Sequence, residues 1–239
     1  MAPTPRQQHL SFPRPLVTVD VAIFTIREER LQVLLVQRPQ QEGEPFPGRW
    51  ALPGGFVDVA LDRNLLACAK RKLKEKTGVA TPYLEQLGSW GGAVRDPRGW
   101  SATHAYFALI EAPASREPVA TDTPQQWEEV GLALQRKLAF DHAEILRAAV
   151  DRLRSRVEYT SLPAYLLAEP ITLPRLQHIY EIVLGRPLDK SAFRKRMLDA
   201  GFLEPVETVM GPGGRAAQGY RLVDRSEATV FPRTFKSGE

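Results

Sequence analysis

A chain of 239 residues with 43% hydrophobic content is long enough to bury a real core, of a size that suits two domains, and it is not an intrinsically disordered sequence. Its formal charge of +4 is too small to argue for or against a nucleic-acid partner. The lone cysteine excludes an intrachain disulfide, and the absence of any run of about 18 apolar residues or of a signal-peptide core leads us to expect a cytoplasmic protein with no membrane partner.

In chain order, residues 1–15, with Arg6 and Arg14, read as a flexible N-terminal segment. Residues 16–26 and 31–37 read as two strands joined by the charged turn Arg27-Glu28-Glu29-Arg30. A loop over 38–49 leads to a short strand at 50–52, which enters a Gly54-Gly55 turn. A helix over 64–76 carries Cys68, whose default place is the interior, and Gly78 ends it. Strands follow at 83–90 and 103–110. A helix over 141–156 places Ile145, Leu146, Ala149 and Leu153 on one side, with Asp141 as its N-cap. The four histidines lack metal-ligand spacing and read as local hydrogen-bonding residues. The first domain is placed at residues 16–157.

The second domain, residues 158–239, has a different pattern. Thr172 is positioned to cap a helix over 173–184 that stops at Gly185, and Asp189 to cap a second over 190–200 that stops at Gly201. Residues 202–210 and 219–223 then read as strands around a glycine-rich tip bearing Arg215. Helix, turn, helix and ribbon make a winged-helix outline. In the second helix Phe193 and Met197, four apart, face the core, which turns Ser191 and Lys195 outward with Arg194 and Arg196 on the flanks. The DNA-facing set is therefore Lys190, Ser191, Arg194, Lys195 and Arg196, with Arg215 on the wing approaching phosphates or the minor groove. Taken alone, such a helix serves protein contacts about as often.

Leu52-Pro53-Gly54-Gly55-Phe56-Val57, followed by Arg71-Lys72-Leu73-Lys74-Glu75-Lys76-Thr77-Gly78-Val79, resembles a Nudix hydrolase box in which lysines have replaced most of the metal-binding glutamates. Lys72 and Lys76 stand at two glutamate positions, Arg63 beside Asp62 at the earlier one, and the loop is two residues longer than the family pattern. Carboxylates in such a box gather hard cations that polarise a diphosphate, and ammonium groups cannot do so. Two unit charges ~4 Å apart interact by roughly 4 kcal/mol at a dielectric of about 20, and a divalent ion doubles each repulsion. We therefore expect no catalytic residues, no metal and no cofactor. Asp58, Asp62 and Glu75 are the carboxylates left nearby.

Arg95-Asp96-Pro97-Arg98-Gly99 is similar to the corresponding loop of Nudix proteins that act on ADP-ribose, although by itself it reads as a hairpin tip in which Arg95 pairs with Asp96 or a neighbour. On the resemblance, Arg95 and Arg98 take the phosphates, because paired guanidinium forks suit a diphosphate. Arg71 and Glu75 fall in the old box pocket, Phe56 and Trp100 (or Trp90) make ring contacts, and Lys72 and Lys76 stand in for a metal.

Over nearly the whole chain, the domain pair and the segment Leu184-Gly185-Arg186-Pro187-Leu188-Asp189-Lys190-Ser191-Ala192-Phe193-Arg194-Lys195 resemble the Nudix-related, NrtR-like regulators of bacterial NAD metabolism. The resemblance implies an α/β fold, a Nudix α/β/α sandwich with a C-terminal winged helix-turn-helix domain. It also implies a repressor of NAD biosynthesis or salvage genes: a homodimer on a palindromic double-stranded operator, released by ADP-ribose or a related nucleotide. The alternatives are an active ADP-ribose pyrophosphatase with an appended domain, and an interaction protein that binds no DNA.

Overall fold

The computed structural model describes residues 13–79, 83–112, 123–210 and 216–235. Strands β1 (Leu16–Arg27) and β2 (Arg30–Gln37) form the expected hairpin, with Glu28 and Glu29 both at positive φ as a two-residue turn demands. Strand β3 (Trp50–Ala51) adds to β2. The Gly-Gly segment, expected as a turn, is instead strand β4 (Gly54–Phe56), paired antiparallel with β1. Two glycines carry no strand signal of their own; the partner strand supplies it. Helix α1 (Leu65–Thr77) is followed by β5 (Tyr83–Gly92), β6 (Ser101–Leu109) and β7 (Gln125–Glu129). A short α2 (Val130–Ala133) and the long α3 (His142–Val157) complete this part.

These strands make one seven-stranded sheet, ordered β3-β2-β1-β6-β5 with β4 on β1 and β7 on β2; β1 and β6 run parallel. Alternation along β1 sorts its side chains between two layers. Val19, Val21 and Ile23 pack with Cys68, Ala69 and Leu73 of α1. Ala22 and Phe24 face the other way, toward Ile145, Leu146, Ala149 and Leu153 of α3. Asp20 has the parity of Ala22, so the same alternation sends a carboxylate to the α3 side, where it is 95% buried.

Beyond α3, residues 158–162 are no loose linker, since Thr160 and Ser161 are buried. A 3-10 turn (Leu162–Leu166) leads to β8 (Ile171–Thr172), α4 (Leu173–Leu184), α5 (Lys190–Asp199), β9 (Leu203–Met210) and β10 (Ala216–Leu222), with strand order β8-β10-β9. The caps are those expected: Thr172 accepts from Arg175 N–H, Asp189 from Ala192 N–H, and Gly185 closes α4 at φ 70°. The α3-side core continues unbroken through Leu176, Ile179, Tyr180, Phe193 and Met197 to Phe231 and Phe235. The two parts thus share one apolar interior. The wing tip with Arg215 and the N-terminal residues 1–12 lie outside the described residues.

Candidate functional site

A cavity of about 300 Å³ opens between β1, β4, the loop over 38–49 and the start of α3, at the lower end of the range for small-molecule sites. Gly54 makes it possible. A Cβ there would sit 2.0 Å from Asp20 Oδ1 and 2.6 Å from the Val19 carbonyl, so only glycine lets β4 lie against β1 at this point. On the opposite wall, Arg38 folds its loop by donating to Pro45 O (2.7 Å) and Glu44 (2.6 Å), and its guanidinium covers the Phe140 ring at 5.0 Å. Phe46 meets Phe140 edge-on at 4.8 Å.

The floor is ionic. The Leu52 N–H donates to His142 Nδ1 (2.9 Å), which leaves Nε2 facing Asp20 at 3.5 Å. Burial alone would push the Asp20 carboxyl up, but His142, a hydrogen bond from Thr103 and the nearby Arg95 hold it below the usual carboxylate value. Arg95 donates twice to Asp141 (both 2.8 Å), once to Ser101 Oγ (3.2 Å), and lies 4.0 Å from Asp20. Burial would lower its pKa, yet Asp141, Asp20 and Asp96 outweigh that and keep it cationic. Asp141 stands at the N-cap position of α3 but makes no capping bond. Its carboxylate is on Arg95 instead, which corrects the capping role read from sequence.

Arg98 grips Asp96 through two nitrogens (3.0 and 2.8 Å) and covers the Phe56 ring at 5.0 Å. Arg95, Arg98, Phe56 and Lys76 therefore all line the cavity. Trp100 does not: it is half-exposed and packs over Gly91, while Trp90 donates to Glu144. Asp20, Arg38, Phe140 and His142 were not singled out as site residues from sequence. A lone carboxylate within the apolar run Val17-Thr18-Val19-Asp20-Val21-Ala22 is the signal by which one of them could have been found.

The box helix α1 starts at Asn64, whose side chain accepts from Ala67 N–H (2.8 Å), and ends at Gly78 in the left-handed conformation. Arg71 donates twice to Asp62 (2.8 and 2.5 Å) and once to Glu75 (2.9 Å). The Arg71 bonds outweigh burial and hold the Asp62 carboxyl far below its usual range. Asp62 also accepts the Asp58 N–H, and Asp58 Oδ1 accepts from Ala60 and Leu61, so these two carboxylates fold the lengthened loop back on itself. Lys72 packs beneath Gly55 with its ammonium 3.6 Å from Glu75. Arg71 and Lys72 line a shallow groove that adjoins the cavity through Gly55 and Phe56; Glu75 lines neither. Each carboxylate near the box is thus occupied by N–H donors, and among the described residues no three His, Cys, Asp or Glu side chains gather as a metal site. The donor set does not fit a divalent ion.

On α5, Phe193 and Met197 are buried, and Lys190, Ser191, Arg194 and Lys195 are exposed. Lys195 reaches Asp199 (3.2 Å) across open solvent, a pair too exposed to hold it. Arg196 belongs elsewhere. It covers the Phe235 ring at 4.0 Å and donates to Thr234 O (2.8 Å), because residues 231–235 cross the flank of α5 on which the helical period places it. Burial lowers its pKa. The structure removes Arg196 from the solvent-facing basic set.

Residues 16–149 match the NUDIX domain family, and residues 163–222 match the NrtR DNA-binding winged helix domain. The chain is 47% identical over 226 residues to a protein of Acinetobacter baylyi named as an ADPR responsive transcriptional repressor, covering 95% of this chain and 89% of that one. It superimposes on Shewanella oneidensis NrtR complexed with a 27mer DNA with a TM-score of 0.84 at 39% identity, over 92% of this chain and 99% of the other. The NUDIX domain of that Shewanella protein complexed with ADP ribose matches with a TM-score of 0.53 at 44% identity, over 59% and 90% of the two chains. From first strand to wing, this chain belongs to the NrtR family of Nudix domains joined to a DNA-binding winged helix.

Proposed function

We propose that the protein is a transcriptional repressor of NAD biosynthesis or salvage genes. Its winged helices hold a palindromic operator as a homodimer in the cytoplasm, and ADP-ribose or a close relative in the Nudix cavity weakens that hold. The observation that carries this reading is the pairing in one chain of an arginine-floored cavity, beside a box whose Asp62 and Glu75 carboxylates are already taken by Arg71 and Lys72, with a helix that presents Lys190, Ser191, Arg194 and Lys195 to solvent. Arg95 and Arg98 bind the diphosphate, Phe56 and Phe140 supply ring contacts, and Lys76 adds positive charge at the rim. Relatives that respond to ADP-ribose and bind DNA support both halves.

This reading assigns no hydrolytic step, and it is supported by the described carboxylates near the box, Asp58, Asp62 and Glu75, being engaged by N–H donors. Two titrations test the reading together. Labelled duplex from upstream of the neighbouring genes should bind the full chain in a salt-dependent way, and ADP-ribose should lower that affinity. By linkage, the operator should lower ADP-ribose affinity by the same factor. Incubation with ADP-ribose and Mg²⁺ or Mn²⁺ should release no AMP; rapid AMP formation would instead make the protein a pyrophosphatase.

A further inference from the structure

Helix α3 differs from its neighbours at its first residue. The helices α1, α4 and α5 begin with Asn64, Thr172 and Asp189 in extended backbone, each side chain accepting a hydrogen bond from the helix's own first turn. Asp141 is an equally good capping residue, yet its backbone sits at φ −96° and ψ 17° and its carboxylate is turned away onto Arg95. The residue before it, Phe140, is held at φ 52°, a conformation that an aromatic residue rarely adopts. Phe140 and His142, on either side of Asp141, both line the cavity. A strained, uncapped helix start is therefore built into the wall of the ligand site, kept there by a guanidinium that a phosphate would also take.

The other end of α3 is wired to the winged helix. Glu158, which follows its last turn, takes two hydrogen bonds from Arg186 in the turn between α4 and α5 (both 2.9 Å), and its carbonyl accepts the Phe235 N–H (3.0 Å). Tyr159 O accepts the Phe231 N–H (2.7 Å), and Thr160 O accepts the Tyr180 hydroxyl (2.7 Å). Phe235 stacks on Phe193 of α5 at 6.0 Å and carries Arg196 over its other contacts. A helix of 16 residues, roughly 24 Å long, thus runs from the cavity wall to the support of the DNA-facing helix.

We propose that Asp141 is a latch opened by the effector, and that α3 transmits its opening to α5. In the latched state Asp141 holds Arg95. In the open state the effector's diphosphate holds Arg95 through the same paired N–H bonds, and Asp141 swings to cap the first turn of α3. The swing changes the backbone between Phe140 and His142, tilts α3, and shifts Glu158 with Arg186 and Phe235. These are two discrete arrangements, which is what coupling between distant sites requires. The idea rests on the cavity's being the effector site.

The test uses the full-length chain, labelled operator duplex and ADP-ribose. Asp141→Asn keeps a good cap but loses the charge that holds Arg95. It should bind operator more weakly than wild type without any effector, bind ADP-ribose more tightly, and show an ADP-ribose effect on operator affinity reduced toward onefold, from the roughly 5- to 150-fold usual for such coupling. Glu158→Ala, at a half-exposed ion pair, should leave ADP-ribose affinity unchanged while reducing the same coupling. Wild-type operator affinity in Asp141→Asn without effector, or full coupling in Glu158→Ala, overturns the latch. A wild-type protein whose operator affinity ignores ADP-ribose overturns the effector reading, and the effector-free comparison of Asp141→Asn with wild type then still decides whether the Asp141–Arg95 pair is linked to α5.

Discussion

Two helices in this molecule carry basic runs of similar composition, and they do opposite things. In α1 the run Arg71-Lys72-Leu73-Lys74 lies beside two carboxylates, Asp62 and Glu75, and Arg71 and Lys72 are paired with them and largely covered. In α5 the run Arg194-Lys195-Arg196 loses only Arg196, which is half-buried against Phe235, and the Lys195 side chain is 80% exposed. A cation paired under cover has already exchanged water for protein and shapes a pocket; one that stays exposed, even with Asp199 in reach, keeps its hydration and its field, and can trade counterions for a phosphate backbone. Charge counted along a helix does not separate these cases. The burial of each pair does.

The widest gap between the two regions should appear when the apolar support of α5 is removed. Phe193 is fully buried between Tyr180 and Phe235, so Phe193→Ala should cost about 3–5 kcal/mol of stability, measured by denaturant titration. Next comes the exposed charge itself. Reversal at both Arg194 and Lys195, to glutamate, should weaken operator binding by at least ~100-fold and flatten its salt dependence by about two charges' worth per protomer, about four for the dimer. ADP-ribose affinity without DNA should stay at the wild-type value. Loss of nucleotide binding in that variant would mean that the basic face of α5 is not separable from the sensor.

Local chemistry was readable from the sequence and long-range pairing was not. Thr172, Gly185, Asp189 and Phe193 announce α4 and α5 because capping and helical period act within a few residues. The pairing of β4 with β1 depends on residues more than thirty positions away, and β7, with Trp127 as its one large apolar side chain, shows its strand character only against β2. The same limit governs the sites. The motif residues Arg95, Arg98, Phe56 and Lys76 reach the cavity, but Asp20 and His142 join them through sheet alternation and the packing of α3. The helical period puts Arg196 on a flank of the DNA-facing helix; a segment some 35 residues downstream covers that flank.

Acid should separate the regions again. Asp62 is 99% buried in its side chain against Arg71, which depresses its pKa in the folded state. A carboxyl depressed on folding contributes stability that is present above its unfolded pKa, about 3.9, and is lost as pH falls from there toward the folded value. Asp62→Asn should therefore be destabilised by roughly 2 kcal/mol at pH 7, the scale of hydrogen bonds to a charged group. The gap between variant and wild type should narrow below about pH 4, followed by thermal unfolding at pH 7, 5 and 3. A gap independent of pH would mean that packing, not the Arg71 charge, is what Asp62 contributes.

The smallest expected effect concerns the lysines that distinguish this box. Lys76 lines the cavity and Lys72 lies under Gly55 beside the adjoining groove, both on the side a bound diphosphate would approach. If their charge takes over part of what a metal supplies elsewhere, Lys72→Glu combined with Lys76→Glu should weaken ADP-ribose binding in the presence of chelator by roughly tenfold, about 1.4 kcal/mol. Operator affinity without effector should not change, because among the described residues neither side chain makes a hydrogen bond or ion pair to α3 or the winged helix, Lys72 pairing with Glu75 of its own helix. Added Mg²⁺ makes the comparison sharper: wild type should be indifferent to it, whereas the double variant, with acidic groups placed at two box positions, should recover part of the lost affinity. Equal nucleotide affinity for both proteins in chelator would show that Arg95 and Arg98 carry the phosphates alone, and that the lysine charges add nothing to binding.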